Sequence, residues 1–126
     1  MALNNPITGP RRQLAQARPS VTTAVTAWTA PYYGQYDINL IHVVNTSNVL
    51  SVNISVFHDP TGSTYDEDTA LVDEYALGPG DIFQLGGDNQ FSDYLANGTI
   101  GVQASVANIA NFKIYGALAG ETVTPI

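Results

Sequence analysis

The sequence predicts an all-β protein: a single antiparallel β-sandwich, jelly-roll-like, of about seven or eight strands, preceded by an extended N-terminal arm. Apolar and polar residues alternate with a period of two in Leu50–Val56 and Ile100–Val106, which is the pattern of half-buried strands. Clusters of glycine, proline, asparagine and aspartate separate such segments at the spacing of a sandwich. No long segment repeats its apolar residues at the helical period of 3.6 residues, so helices are expected to be minor.

The 126 residues suffice for one domain with one hydrophobic core. We divide the chain into an extended N-terminal arm over residues 1–19, a sandwich over residues 20–120 and a short C-terminal tail over residues 121–126. The first residues lack a basic stretch followed by an apolar run, so no signal peptide is expected. No apolar run approaches the ~18 residues that indicate a transmembrane helix.

The predicted arm differs from the body in its proline content. Pro6, Pro10 and Pro19 each remove a backbone donor, which discourages both a helix and a central strand. We expect one helical turn at most, over Gln13–Ala17. Two interpretations stay open: a disordered terminus, or an arm that becomes ordered on a partner protein. In the second interpretation the partner-binding residues are Leu3, Ile7, Arg11, Arg12, Leu14 and Arg18.

The first half of the sandwich contains four predicted strands, over residues 20–29, 36–45, 49–58 and 69–77. The first of these strands contains Trp28 and ends before a turn that contains proline and glycine. The second is apolar on both faces along Ile38–Val44, which is typical of a central strand covered on both sides or of one that faces a partner chain. Ile41, His42 and Val43 are therefore candidate residues of an oligomer interface.

The second half contains three further predicted strands, over residues 80–85, 97–107 and 110–118. The first begins in the Gly78–Asp81 turn, and a turn at Asn108–Asn111 separates the last two. Phe91, Tyr94 and Leu95 predict a short helical turn near residues 90–95.

Positive charge is concentrated near the N-terminus. The formal net charge is −7, yet Arg11, Arg12 and Arg18 are three of only four cations. Residues 19–126 contain all eleven acids and Lys113 as their single cation. Because such an acidic body repels nucleic acid and gains nothing from anionic membranes, we expect neither as a partner.

No residue pattern predicts catalysis, a cofactor or a metal. Cysteine is absent, which excludes disulfides, thiolate metal sites and a cysteine nucleophile. His42 shares a predicted strand face with apolar residues and is interpreted as a buried or interface histidine, whereas His58 is expected to be exposed before a turn. No G-x-S-x-G, H-E-x-x-H or H-x-x-x-H pattern occurs. We therefore expect a protein that is not an enzyme.

An acidic segment offers the remaining candidate for a site. Its six acids are Asp59, Asp66, Glu67, Asp68, Asp73 and Glu74. Carboxylates at this density suit calcium, but their spacing does not match the EF-hand loop, and adjacent acids on an extended chain point in opposite directions. We expect a solvated loop over residues 59–74, with a cation site as the open alternative.

Aromatic residues give a second open alternative. Trp28, Tyr32, Tyr33 and Tyr36 lie close together in the sequence. Exposed rings on a sandwich could stack on sugars, but aromatic residues are also enriched in protein interfaces. Core or interface positions are the expected outcome.

The segments that carry a family resemblance extend over residues 25–118. They are Trp28–Pro31, Ile38–Ser47, Val49–Phe57, Tyr75–Asp81 and Phe112–Ala117. In this order they resemble small β-sandwich virion proteins of tailed bacteriophages, in particular capsid decoration (cement) proteins. The resemblance lies in turns and strand rhythm. The acidic segment and the arginine-bearing arm are not part of it.

The resemblance implies a structural protein that is not an enzyme and that binds the outer surface of the phage capsid as a homotrimer. Its partner would be the major capsid (coat) protein, and its location the virion, after synthesis in the host cytoplasm. Arms that bridge neighbouring coat subunits would clamp them, because linked weak contacts gain avidity. Two alternatives remain: a tail, neck or head-fibre accessory protein, and a carbohydrate-binding module of a receptor-binding appendage that uses Tyr32 and Tyr33.

Overall fold

The computed structural model describes residues 12–30, 35–93 and 98–119. Each helix or strand element in these residues is a strand, so the predicted all-β class is confirmed. The eight strands are β1 (Arg12–Ala17), β2 (Val25–Thr29), β3 (Gln35–Asn45), β4 (Val52–Asp59), β5 (Ala70–Leu77), β6 (Ile82–Asp93), β7 (Thr99–Ala104) and β8 (Ala110–Ala119). A helix long and apolar enough to cross a membrane does not occur within these ranges.

The strands form two antiparallel sheets of four strands each. The first sheet has the order β1-β8-β3-β6 and the second the order β2-β7-β4-β5. The pairs β1–β8, β2–β7, β3–β6 and β4–β5 are nested, so that the first strand pairs with the last and the two middle strands form a hairpin. Pairing of β3 with β8 and of β4 with β7 completes the sheets.

The two sheets share one hydrophobic core. Alternate residues of β4 and β7, such as Ile54 and Val102, are fully buried. They belong to the same packed cluster as Ile38, Val43 and Phe112 of the first sheet. The period-two pattern of the sequence therefore becomes an inward apolar face on each sheet.

Two short segments for which a helical turn was considered form strands instead. Gln13–Ala17 does not form a helical turn: these residues lie in β1, where Ala15 pairs with Ile114 and Ala17 with Phe112. An edge strand of the first sheet thus begins at Arg12, within the segment that we predicted as the arm.

The helical turn near residues 90–95 is also not formed in its described part. β6 continues to Asp93, and Phe91 pairs with Ile38 of β3. Tertiary pairing with a buried central strand outweighs the local preference of a short aromatic segment. Tyr94 and Leu95 lie outside the described residues.

A bulge in β3 requires glycine on the two neighbouring strands, β6 and β8. Asn39 is the extra residue between Ile38 and Leu40 relative to β8. A Cβ atom at Gly86 of β6 would lie 2.7 Å from the Asn39 carbonyl oxygen, and one at Gly116 of β8 would collide with the Asp37 carbonyl oxygen. Glycine on both neighbours allows the three backbones to approach one another.

The fully buried side-chain amide of Asn45 closes one end of the molecule. Its Nδ2 lies 2.7 Å from the Leu50 carbonyl oxygen, 3.2 Å from that of Leu77 and 3.0 Å from that of Gly78. Its Oδ1 accepts a hydrogen bond of 3.0 Å from the Ser47 N–H. The last residue of β3, in the first sheet, is thereby fastened to the end of β5, in the second sheet.

Replacing this amide should destabilise the fold strongly. Asn45→Asp keeps the side-chain size but places a carboxylate oxygen against carbonyl oxygens that lose their donor. Each buried polar group left unsatisfied costs about 1–3 kcal/mol, so we expect the free energy of unfolding to fall by roughly 3 kcal/mol or more in urea titrations at neutral pH. The exposed Asn48→Asp is the matched control, with an expected change within about 0.5 kcal/mol. Equal unfolding midpoints for the two variants would contradict this role of Asn45.

Candidate functional site

The predicted oligomer interface divides between the inside and the outside of the molecule. Ile41 and Val43 are 1% and 0% exposed and pack in the core between the sheets, so these two side chains are not on a surface that a partner could contact. His42 points the other way. On the outer face of the first sheet it lies opposite Lys113 of β8 and Gln84 of β6. Strand alternation explains this division, because neighbouring residues face opposite sides.

The predicted partner-binding residues are also separated. Leu3, Ile7 and Arg11 lie outside the described residues. Leu14 is half-buried against the core, where it is the bulged residue of β1 opposite β8 and lies beside Gly116. It therefore anchors β1 to its own sheet.

Arg12 begins β1, Arg18 directly follows its last residue, and both side chains are exposed. Within residues 12–30, 35–93 and 98–119, no carboxylate forms an ion pair with Arg12, Arg18 or Lys113. The exposed acids of the 59–74 segment instead belong to the second sheet and its loop.

The acidic segment folds over the outer face of the second sheet and is held there by Tyr65. The Tyr65 hydroxyl lies 2.6 Å from the Thr26 Oγ1 atom of β2 and 2.7 Å from the Thr99 Oγ1 atom of β7. The Tyr65 ring stacks on Phe57, with centroids 5.6 Å apart. A Cβ atom at Gly101 would lie 2.6 Å from the ring, so this glycine provides the space that the ring occupies.

Asp59 shapes the start of the same loop. Its Oδ1 accepts the Thr61 N–H at 3.0 Å, and its Oδ2 accepts the Thr64 N–H at 2.8 Å. These hydrogen bonds, led by that of Thr64, hold the pKa of the Asp59 carboxyl below its ordinary value, against the opposing effect of burial. Asp59 therefore serves as a cap for its own loop, although the sequence suggested a solvated carboxylate.

The remaining acids do not converge. Asp66 accepts the Asp68 N–H at 2.9 Å, and Asp73 accepts the Ser55 hydroxyl at 3.4 Å. Within the part of the chain that the structure describes, no three His, Asp or Glu residues are placed to hold a metal ion. His58, expected in an exposed turn, is half-buried in β4 next to Ile100 of β7.

An open groove lies beside the Tyr65 loop. Its volume is about 380 Å³, and it is lined by Thr26, Thr29, Gly62, Ser63 and Thr99. Hydroxyl groups dominate this lining, but those of Thr26 and Thr99 are already bonded to Tyr65. Of the aromatic residues proposed for sugar stacking, Trp28 is buried in the core, and Tyr32 and Tyr33 lie outside the described residues.

Sequence reasoning missed two features that only the fold brings together. Tyr65 and Gly101 are 36 positions apart in the sequence, and the sole signal was a glycine within an otherwise alternating strand. Tyr75 and Phe83 belong to edge strands of different sheets, and their ring centroids lie 4.7 Å apart. Strand order had to be known before either contact could be inferred.

Comparison with known proteins gives no match, either to a family model or to a curated protein.

Filling the space at Gly101 should release the acidic loop. Gly101→Ala places a methyl group where the Tyr65 ring now lies, so we expect faster hydrogen exchange over residues 60–69 by at least about tenfold, which equals about 1.4 kcal/mol of lost local stability. Tyr65→Phe, which keeps the ring and loses only its hydroxyl bonds, should have a smaller effect of about 1 kcal/mol. Unchanged exchange in Gly101→Ala would show that the ring does not hold the loop.

The Asp59 cap should make the loop sensitive to acid. A carboxyl whose pKa is lower in the folded than in the unfolded state stabilises the fold fully at neutral pH, and this contribution is lost as the pH falls below about 4. In Asp59→Asn, stability should be lower at pH 7 and should fall less between pH 7 and pH 3 than in the wild type. Urea titrations at both pH values provide the measurement, and parallel losses in the two proteins would exclude Asp59 as the titrating group.

Proposed function

We propose that this protein is a structural virion protein that binds the outer surface of a phage capsid and clamps neighbouring coat subunits. The observation that carries the proposal is the set of cations Arg12, Arg18 and Lys113, which lie on or directly next to the first sheet. They have no ion-pair partner among the described residues of a chain with eleven acids. A guanidinium presents a planar fork of donors that suits carboxylates and backbone carbonyls of a protein partner.

The nested strand pairing supports this proposal at the level of fold. The eight strands pair as β1–β8, β2–β7, β3–β6 and β4–β5 and are distributed over two sheets. We assign this strand order to a jelly roll, an architecture used in viral capsid and lectin domains. Because one fold hosts many functions, the argument for capsid binding rests on the surface charges.

The position at which β1 begins determines how far an arm could extend from the sandwich. Residues 1–11 precede the edge strand of the first sheet, and an extended chain of eleven residues reaches at most about 40 Å. In the proposed mechanism Leu3, Ile7 and Arg11 bind an adjacent coat subunit, while Lys113, on the outer face of the first sheet, contacts the coat subunit beneath the sandwich. Opening the seam between coat subunits would then require the detachment of several linked contacts.

Deleting residues 1–11 should therefore remove most capsid binding without unfolding the protein. The deletion ends before β1, so all eight strands remain. Deletion of residues 121–126, which also lie outside the eight strands, is the matched control and should bind normally. Binding is measured by co-sedimentation with capsids that lack the protein, from the phage that encodes it. Undiminished binding of the 1–11 deletion, with an unchanged circular dichroism spectrum, would contradict the clamp.

The groove favours one other candidate, a carbohydrate-binding module. Its hydroxyl lining offers donors and acceptors to sugar hydroxyls, and Thr29 and Ser63 lie at its exposed rim. A glycan array separates the two candidates: binding that is lost in Thr29→Val favours sugar recognition, and absence of glycan binding together with capsid binding favours the clamp.

A further inference from the structure

The side of the molecule formed by edge strands β5 and β6, here called the β5/β6 side, carries three exposed large apolar residues. Leu71, Tyr75 and Ile82 are 39%, 48% and 58% exposed. The Tyr75 ring contacts Phe83 across the gap between the sheets, which gives this side a fixed aromatic surface. Exposed aromatic residues supported in this way are typical of surfaces that bind other proteins.

The shape of β5 disfavours continuous backbone pairing with another strand. Its register with β4 shifts twice, between Ile54 and Val56 and between Val56 and Phe57. Glu74 adopts a left-handed conformation with φ of 54°, which bends the strand at its acidic centre. Because bulges and charges protect a sheet edge from backbone pairing, a partner of this side must be contacted through side chains.

The opposite side of the molecule carries complementary charge. β1 is the edge strand of the first sheet at the end remote from β6, and here it is called the β1 side. Its exposed Arg12 and Arg18 have no ion-pair partner among the described residues. Asp73 and Glu74 lie exposed on β5 of the β5/β6 side. One chain therefore presents cations at one edge, and acids next to an aromatic surface at the other.

We propose that the β5/β6 side of one copy binds the β1 side of a second copy. Arg12 and Arg18 pair with the carboxylates of Asp73 and Glu74, and a guanidinium stacks on the exposed Tyr75 ring. Tyrosine and arginine are the residue types that dominate binding energy in protein interfaces. Because the two sides differ, the contact is head-to-tail, and repetition with a suitable rotation closes a ring.

This inference rests on the proposed function only for the expectation that copies associate, and it names the surfaces that do so. Its test needs no capsid. The mass of the full chain is measured by light scattering after gel filtration at about 50 mM salt, where screening of surface charges is modest. We expect a whole multiple of 13.4 kDa, and we expect the 1–11 deletion to keep that mass even if it fails to bind capsids.

Charge reversal then tests the surfaces. Arg12→Glu with Arg18→Glu, and separately Asp73→Lys with Glu74→Lys, should each weaken association by roughly 30-fold or more, as for an interface hot spot. All four changes in one chain should restore the wild-type mass, because the charges are again complementary. Glu67→Lys, an exposed loop residue, is the control for net charge and should keep the wild-type mass.

Folding of each variant is checked by its thermal transition. Since Asp73 accepts a hydrogen bond from Ser55, the single variants Arg18→Glu and Tyr75→Ala supply the test if the lysine pair fails to fold. Both lie outside that hydrogen bond and should also reduce the mass. A wild-type protein that is monomeric at about 100 μM, a concentration well above the Kd of a functional interface of this kind, would overturn the inference. So would an oligomer whose mass none of the reversals changes.

Discussion

The hydrogen bonds of the Asn45 amide are the constraint on which the ends of the two sheets depend. The buried Asn45 side chain of β3 donates hydrogen bonds to the carbonyl groups of Leu50, Leu77 and Gly78, which belong to two other parts of the chain. The bond to the Leu77 carbonyl oxygen is buried and the other two are partly buried, so these groups depend largely on partners within the protein. The Asn45 backbone N–H also donates to the Asp81 carbonyl oxygen at 3.0 Å. The turn before β6 and the end of β5 are therefore fixed by the same residue, and with them the positions of Tyr75 and Phe83 on their two edge strands.

Bulges distribute the surface chemistry along the edges of the sheets. The bulged Leu14 packs inward beside Gly116, which leaves the ends of β1 to carry Arg12 and Arg18 outward. On the other side, the two register shifts of β5 expose Leu71 and the acidic centre of the strand. Packing requirements within the core thus determine which charges reach each edge. The separation of cations from acids follows from the order of the strands, since β1 and β5 lie at opposite ends of the two sheets.

Periodicity allowed most strands to be predicted from the sequence, because inward residues such as Ile54 and Val102 alternate with polar ones and become the buried faces. It failed where a segment is held by a distant partner. β1 is paired with β8, almost a hundred residues away. Its short length and the prolines on either side of it, Pro10 and Pro19, gave no local sign of a strand. The Ile41–Val43 segment was recognised as apolar, but a residue-by-residue assignment of inner and outer faces required the register with β8. The Tyr65 anchor could not be predicted, because its partners Thr26 and Thr99 come from strands that precede and follow the loop.

The separation of cations from acids also influences the orientation in which two copies approach each other. A surface with one sign of charge at each edge repels a second copy in the wrong orientation and attracts it in the right one, so orientation is selected before any close contact forms. Exposed pairs contribute little energy in water, and tight association would therefore depend on the apolar surface around Tyr75, which excludes water from the neighbouring charges. The acidic loop held by Tyr65 lies on the outer face of the second sheet, where Tyr65 contacts β2, β7 and β4, and its like charges disfavour stacking of that face on another copy. Growth through the edges, and not through this face, is the arrangement that leaves the outer face of the first sheet, with His42 and Lys113, open to a different protein.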